Sequence, residues 1–333
     1  MTATGDMLRL IFGFRAAQAV HVAAELGIAD RLASGPVEVS AVAEQVGADA
    51  DALRRLLRAL AAIGVFEEQS GDVFATNDRG RTLESGHPDR LRAISSNTST
   101  PYFWDAWGRL EHSVRTGENA FQSLHGTSVW EYRATHPEAA RRFDAGMVAL
   151  TLRIARSLVE AYDFGGVGTL VDVGGGHGAL LAAVLDTYPD MGGVLYDLPH
   201  VVETALPVLA ARGLDARVRL EGGTFFDRVP SGGDCYLLKS VLHDWEDYDC
   251  VRILQACAGS MPRNAVLLIV ERLLGGPNEG ADTKFSDLNM MVLPGGRERT
   301  ADEFDALVVA AGMSVRRVVP TSSAFHAIEA VVS

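Results

Sequence analysis

Basic residues are in short supply. Thirty lysines and arginines stand against 43 aspartates and glutamates, a formal charge of −13 over 333 residues. A chain so acidic lacks the basic footprint that wholesale nucleic-acid binding needs, which argues against such a partner. Cysteine is scarce too. Cys235, Cys250 and Cys257 make an odd count with no zinc-like spacing and no histidine pair beside them, so a disulfide framework is excluded and unpaired packing thiols in a reducing compartment are expected. No apolar run approaches the ~20 residues of a membrane helix, and no basic start leads into a long apolar core at the N-terminus, so no signal peptide is read. HxxxH and CxxC spacings are missing, and no metal is predicted. The expectation is a cytoplasmic protein that meets neither membrane nor nucleic acid.

What is present is apolar: 47% hydrophobic and 22% charged residues predict a sizeable core, and the length suits two domains. Residues 1–95 read as short helices. Met7 to Leu26 carries apolar residues at helical spacing and stops at Gly27. Ser40 is expected to cap SAVAEQVG, and Asp49 or Asp51 to cap DALRRLLRALAAIG, where Leu53, Leu56, Leu57 and Leu60 share a face. VFEEQSGDVFAT then reads as a hairpin around Ser70-Gly71. Helix, turn, helix, hairpin is the winged-helix order. Its third helix bears Arg54, Arg55 and Arg58, which raises a regulator reading, but Arg54 and Arg58 sit on the polar side of a leucine-faced helix. Apolar surface along Met7–Leu26 exceeds what a ~90-residue domain needs for itself, which predicts a homodimer through this domain.

Residues 96–160 read as linking helices rich in aromatics, among them Phe103, Trp104, Trp107 and Phe143. Their density predicts a contribution to a pocket for a flat apolar ligand. From 161 to 333 strands and helices alternate. Strands that are continuous apolar runs, each followed by a helix, imply a parallel sheet covered on both faces. VRRVVPTSS and AFHAIEAVV read instead as two consecutive strands at the sheet's end.

The turn VDVGGGHG at Val171–Gly178 lies between a strand and a helix, where glycines let the backbone approach a ligand closely. Asp197 ends the next strand about twenty residues on, placed for a ribose diol. The same features suit NAD, which makes a dinucleotide oxidoreductase the rival reading. Against it, the run is GGGHG rather than a pyrophosphate cradle, and Asp172 stands two residues before its first glycine. A carboxylate there would repel a pyrophosphate, whereas it can face the charged amino acid end of S-adenosylmethionine (SAM).

The chain resembles the two-domain SAM-dependent O-methyltransferases that include plant caffeate-type enzymes and bacterial enzymes tailoring aromatic natural products. The resemblance runs the whole length, through VDVGGGHG, YDLPHVVETA, EGGTFFDRVP, LLKSVLHDWED, ERLL and GGRERTADEF. It implies an α/β class I methyltransferase (Rossmann-like) sheet behind a mainly helical, winged-helix-like dimerisation domain. It implies that Gly174, Gly176 and Asp172 surround the methionine portion of SAM, that Asp197 takes the ribose, and that Leu198, Phe225 and Phe226 pack at the adenine. Lys239 matches the family's lysine near the cofactor. Thr224 departs from the family, which has an aspartate there; a neutral hydroxyl should hold an adenine amine more weakly.

Methyl transfer needs an aligned, unprotonated nucleophile. A phenol of pKa ~10 is only about 0.1% ionised at pH 7, so a base helps. His243 lies in the turn after CYLLKS; on spacing alone it would be one of nine histidines capping a helix beside Asp244. Its L-H-D-W setting is where the resembled family keeps its base. Glu271 and Glu298 match the two family carboxylates that orient it. The implied activity is methylation of a phenolic hydroxyl of an aromatic secondary metabolite, with N- or C-methylation or a SAM-binding winged-helix regulator as alternatives. Phe103, Trp104, Trp107, Phe143, Met147, Asp244, Asp287, Asn289 and Met290 are the expected acceptor contacts.

Overall fold

A strand apolar at every position has no face to give to water, so it belongs in the middle of a covered sheet. In the computed structural model, which describes residues 2–333, such runs form the centre of a seven-stranded sheet. Its strands are β4 (Thr169–Val173), β5 (Gly192–Asp197), β6 (Val218–Gly222), β7 (Cys235–Lys239), β8 (Val266–Arg272), β9 (Met313–Pro320) and β10 (Phe325–Val332), in the order β6-β5-β4-β7-β8-β10-β9. β4 to β8 are parallel, while β10 runs antiparallel to both β8 and β9. Alternate residues feed opposite faces. Val171, Tyr236, Leu238, Leu267 and Ile269 pack in one core with the helices Asp247–Ser260 and Ala301–Ala310. Leu170, Cys235, Leu237, Leu268 and Val270 join Leu180, Leu181, Val202 and Leu209 of the helices Ala179–Thr187 and Pro199–Ala210 in the other. All three cysteines are buried and unpaired.

The chain divides into two compact units. The one that carries the large sheet comprises residues 106–132 and 151–333. The other comprises residues 1–105 and 133–150, so the aromatic segment 96–160 is shared out between them. This first unit is mainly helical, with a small sheet of β1 (Val37–Glu38), β2 (Phe66–Gln69) and β3 (Val73–Thr76), β3 lying between the other two. Leu53, Leu57 and Leu60 are buried in its core with Ile28, Leu32, Val42 and Phe74.

Two details of the first unit correct the sequence reading. The helix expected over Met7–Leu26 is two, Ala3–Ile11 and Gly13–Glu25, broken at Phe12, whose ψ of 4° leaves the helical well beside a poor helix former, Gly13. Ser40 is not a cap. β1 pairs with β3, and the Val39 N–H donates to Asp72 O, so the chain turns directly from strand into helix at Val39 and Ser40 lies inside it. Asp49, rather than Asp51, caps the next helix by accepting from Ala52 N at 2.8 Å. Arg54 pairs with Asp51 and Asp72, and Arg58 with Glu68 and Asp72, so both guanidinium groups are already answered by carboxylates. Met7, Leu10, Ile11, Phe12 and Phe14 are exposed. Among the described residues no helix is long and apolar enough to cross a membrane.

Candidate active site

Parallel strands deliver all their loops to one edge, and ligands of such sheets sit outside the strands' carboxyl ends. The loops after β4, β5, β6, β7 and β8 carry the site. After β4 the chain turns through Gly174 and Gly176, both at positive φ (71° and 58°), where an L side chain would be strained. The Gly174 N–H donates to Tyr196 O at 2.8 Å, tying the turn to β5. A Cβ on Gly174 would lie 2.9 Å from Val241 Cγ2. Gly175 has no unusual φ but no space: a Cβ there would lie 2.5 Å from Leu195 Cδ1 and 2.6 Å from Asp172 Cγ. Both neighbours are buried, so Gly175→Ala is expected to cost about 2–3 kcal/mol by overpacking. A thermal midpoint lowered by roughly 5–10 °C would show it; an unchanged midpoint would mean that Asp172 can move away.

Asp172 is 1% exposed, and its Oδ2 finds no hydrogen-bond partner. Burial pushes its carboxyl up to about 7, against the pull of Lys239. Burial also lowers the Lys239 ammonium, opposed by Glu271, Asp172 and Asp244; its Nζ donates to Thr151 Oγ1 at 3.0 Å. At the end of β5 the Asp197 carboxylate accepts from Gly176 N at 2.8 Å and from Leu198 N at 2.7 Å. After β6, Thr224 opens a turn in which its carbonyl accepts from Asp227 N at 3.1 Å. Its hydroxyl is only loosely engaged, 3.4 Å from Phe226 N. Phe225 and Phe226 meet edge-on, and Trp245 closes on both, with centroids 6.0 and 4.8 Å away.

The glycine cradle, a buried carboxylate oxygen left without a partner, the carboxylate ending β5 and the aromatic pair suit an adenosyl ligand with a charged amino acid end. They are residues of one strand edge.

After β7, Ser240 takes a left-handed conformation (φ 54°) and starts a short 3-10 turn, Leu242–Asp244, that carries His243. Glu271, in β8, is fully buried; its Oε1 accepts from Val241 N and Leu242 N, both at 3.0 Å. Its Oε2 lies 3.6 Å from His243 Nδ1, and Glu298 Oε1 lies 3.5 Å from the same nitrogen. Asp244 Oδ1 lies 3.6 Å from Nε2. Burial alone would lower the imidazole, but Glu271, Asp244 and Glu298 outweigh it and push it up to about 10. Burial pushes Glu271 up to about 7 against its attraction to His243. Glu298 is lowered: burial raises it, but the His243 hydrogen bond and charge, and Ser286, more than compensate. A buried negative pair therefore waits for one shared cation on the imidazole.

The ligand atoms of His243, Glu271 and Glu298 lie within 4.8 Å of one another, a grouping that could also hold a metal ion and that no spacing in the sequence signals. Its members are far apart in the chain and meet only because β7, β8 and the 295–299 loop converge.

Of the expected acceptor contacts, Trp107, Asp244, Asp287, Asn289 and Met290 belong to the sheet-bearing unit. Trp107 Nε1 donates to Asn289 Oδ1 at 3.1 Å, and Met290 is buried. Asp287 Oδ1 accepts from Glu298 N at 2.9 Å, which makes it a support for Glu298. Phe103, Trp104, Phe143 and Met147 fall in the other unit. There Arg133 stacks 3.5 Å over the Phe143 ring, and Trp104 borders an open apolar cavity of about 510 Å³ with Phe14, Val22 and Leu56.

Sequence reasoning missed three residues of this site. Ser286 donates to Glu298 Oε1 at 2.7 Å. Trp245 completes the aromatic cluster, although it stands in the same L-H-D-W run as His243. Arg299, in GGRERT, is 1% exposed. A charged residue gives no sequence signal that it will be buried.

The profile of the O-methyltransferase domain matches residues 107–314, and that of the O-methyltransferase dimerisation domain matches residues 8–85. The chain is 41% identical to a phenazine O-methyltransferase, PhzM, of Lysobacter antibioticus, over 97% of this chain and 95% of that one. It is 36% identical to an 8-amino-8-demethylriboflavin N,N-dimethyltransferase of Streptomyces davaonensis, over 98% and 95%. The crystal structure of the O-methyltransferase NcsB1 from neocarzinostatin biosynthesis, in complex with SAM and 2-hydroxy-5-methyl naphthoic acid, superposes with a TM-score of 0.79 at 33% identity, covering 96% of each chain. The exposed apolar residues of 7–14 thus begin a dimerisation domain, and the chain belongs to the SAM-dependent O-methyltransferase family.

Proposed function

We propose that this enzyme methylates a phenolic hydroxyl of an aromatic secondary metabolite, with His243 as the general base. The observation that carries the reading is the imidazole held with Nδ1 between Glu271 and Glu298, on the strand edge that also bears the glycine cradle. SAM supplies an activated methyl group on a sulfonium. Gly174, Gly176 and Asp172 would receive its amino acid end, Asp197 its ribose, and Leu198, Thr224, Phe225 and Phe226 its adenine, with Lys239 balancing the buried carboxylates. Trp107, Asn289 and Met290 would face the acceptor. Nδ1 faces two carboxylates, at 3.6 and 3.5 Å, and Nε2 faces Asp244 alone, at 3.6 Å, so Nε2 is the nitrogen that would take the phenol's proton, and the carboxylates stabilise the imidazolium that results. His243 raised toward the pKa of a phenol makes that transfer nearly balanced.

The test is turnover with SAM and a panel of phenols and aromatic amines, read by mass spectrometry. Methylated phenols support the reading; methylated amines alone would assign nitrogen as the acceptor, as in the riboflavin relative. Activity abolished by EDTA and restored by a divalent ion would assign the His243–Glu271–Glu298 group to a metal. The pH profile is read beside that of His243→Gln, because the phenol's own ionisation rises over the same range. The active form has a neutral imidazole, and its population grows as pH rises toward the folded pKa. Because that pKa is raised to about 10, kcat/KM for a phenol of pKa ~10 should climb about tenfold per pH unit from 7 to ~9. A plateau already reached at pH 7, as for an ordinary histidine, would contradict it.

A further inference from the structure

Arg299 is the largest fully buried side chain among the described residues, and such a cation persists inside a protein only where partners answer its donors. Its partners are not a random set. Nη1 donates to Leu242 O at 3.0 Å and Nη2 to Trp245 O at 2.7 Å, the two carbonyls that bracket His243. Nε and Nη2 reach Asp247 Oδ1, at the start of the next helix, at 3.0 and 2.7 Å. The carbonyl of His243 itself accepts from Arg297 N at 2.9 Å. Beside it Gly296 runs so close that a Cβ would lie 1.9 Å from His243 O. Cys250 Sγ lies 3.2 and 3.4 Å from the same two carbonyls that Arg299 holds. The amide side of the turn is fixed by Glu271. One loop, 296–299, therefore grips the backbone of the His243 turn and also carries Glu298 to its imidazole.

We propose that Arg299 is a positioning residue, whose planar fork on the carbonyls either side of His243 holds the imidazole against Glu271 and Glu298. The proposal rests on the reading of His243 as the base. The two carbonyls are met by different nitrogens of one planar guanidinium, Nη1 and Nη2, a fixed spacing that a single lysine nitrogen does not reproduce.

The experiment compares Arg299→Met and Arg299→Lys with wild type in three measurements: kcat, SAM affinity by calorimetry, and titration of the His243 ring by NMR of histidine-labelled protein, assigned with His243→Gln. Arg299→Met should lower kcat about 10–100-fold, the scale of a displacement near 1 Å, while SAM affinity holds. The ring titration should move down toward an ordinary histidine as the imidazole leaves its carboxylates. Arg299→Lys should fall between the two. A lowered thermal midpoint with the titration and kcat unmoved would overturn the proposal by leaving Arg299 a purely structural part. If Arg299→Met does not fold, Arg299→Lys decides: a folded variant with the wild-type titration and turnover overturns it. Should His243→Gln keep full activity, the base reading fails, and a ring titration still displaced in the Arg299 variants would sustain the clamp alone.

Discussion

His243→Gln is expected to lower kcat by about 10²–10³ at pH 7 with an acceptor phenol of pKa ~10, while SAM binds within a few-fold of wild type. The size is that of a positioned proton transfer: an imidazole raised to about 10 is mostly protonated at pH 7, so what the variant loses is the group that takes the phenol's proton and stays as a cation beside the phenolate. Such a phenol is about 0.1% ionised at pH 7, and glutamine cannot take its proton, so a bound acceptor must first lose it to water. Proximity to the methyl donor survives the substitution and limits the damage to the share carried by that proton transfer. The loss should therefore shrink as the acceptor becomes more acidic, to a few-fold for a phenol of pKa ~7, which is about half ionised without help. A loss of the same size across acceptors of different pKa would make His243 a binding residue, and no loss at all would remove it from the chemistry. Thermal unfolding must accompany the assay. Removing the imidazole leaves Glu271 and Glu298 buried without their shared cation, and one of them must then hold a proton for the fold to persist.

The parts of this molecule legible in its sequence are those where one local rule decides. The parallel sheet was readable because apolar runs such as CYLLK and VLLIV leave no polar face, and β9 and β10 because no helix separates them. The glycine turn announced itself by composition, and Asp197 by its distance from that turn. Where two neighbours compete, the sequence misleads. Ser40 has the chemistry of a cap, but the pairing of Val37 with Phe74 starts the helix before it. Met7–Leu26 has one continuous period, yet it breaks at Phe12. The His243 constellation was placed only by resemblance, since Glu271 follows His243 by 28 positions and Glu298 follows Glu271 by another 27. Arg299 and Ser286 escaped entirely, because their roles depend on which carbonyls and carboxylates a loop meets in three dimensions.

Glu271 separates two roles that a single truncation would merge. Glu271→Ala removes an acceptor from the buried N–H groups of Val241 and Leu242 and a counter-charge from His243. Two stranded donors at about 1–3 kcal/mol each predict a destabilisation of about 3–5 kcal/mol, or roughly 10 °C in thermal midpoint. Activity lost in that variant says little about chemistry. Glu271→Gln keeps the shape, and its amide oxygen can still accept from both backbone N–H groups, so the midpoint should move by only a few degrees. Its NH2 group then points at His243 Nδ1 as a donor where the carboxylate was an acceptor. That favours an imidazole with its proton on Nε2, the nitrogen that has to receive the phenol's proton. Turnover should fall about 10²–10⁴-fold although the protein is folded and binds SAM, the penalty expected of a wrong tautomer. A stable Glu271→Gln enzyme with near-normal kcat would reduce Glu271 to a scaffold for the turn and leave the orientation of His243 to Glu298. A stable but crippled one would show that the ionised oxygen facing Nδ1, and not the hydrogen bonds to the backbone, is what the reaction requires.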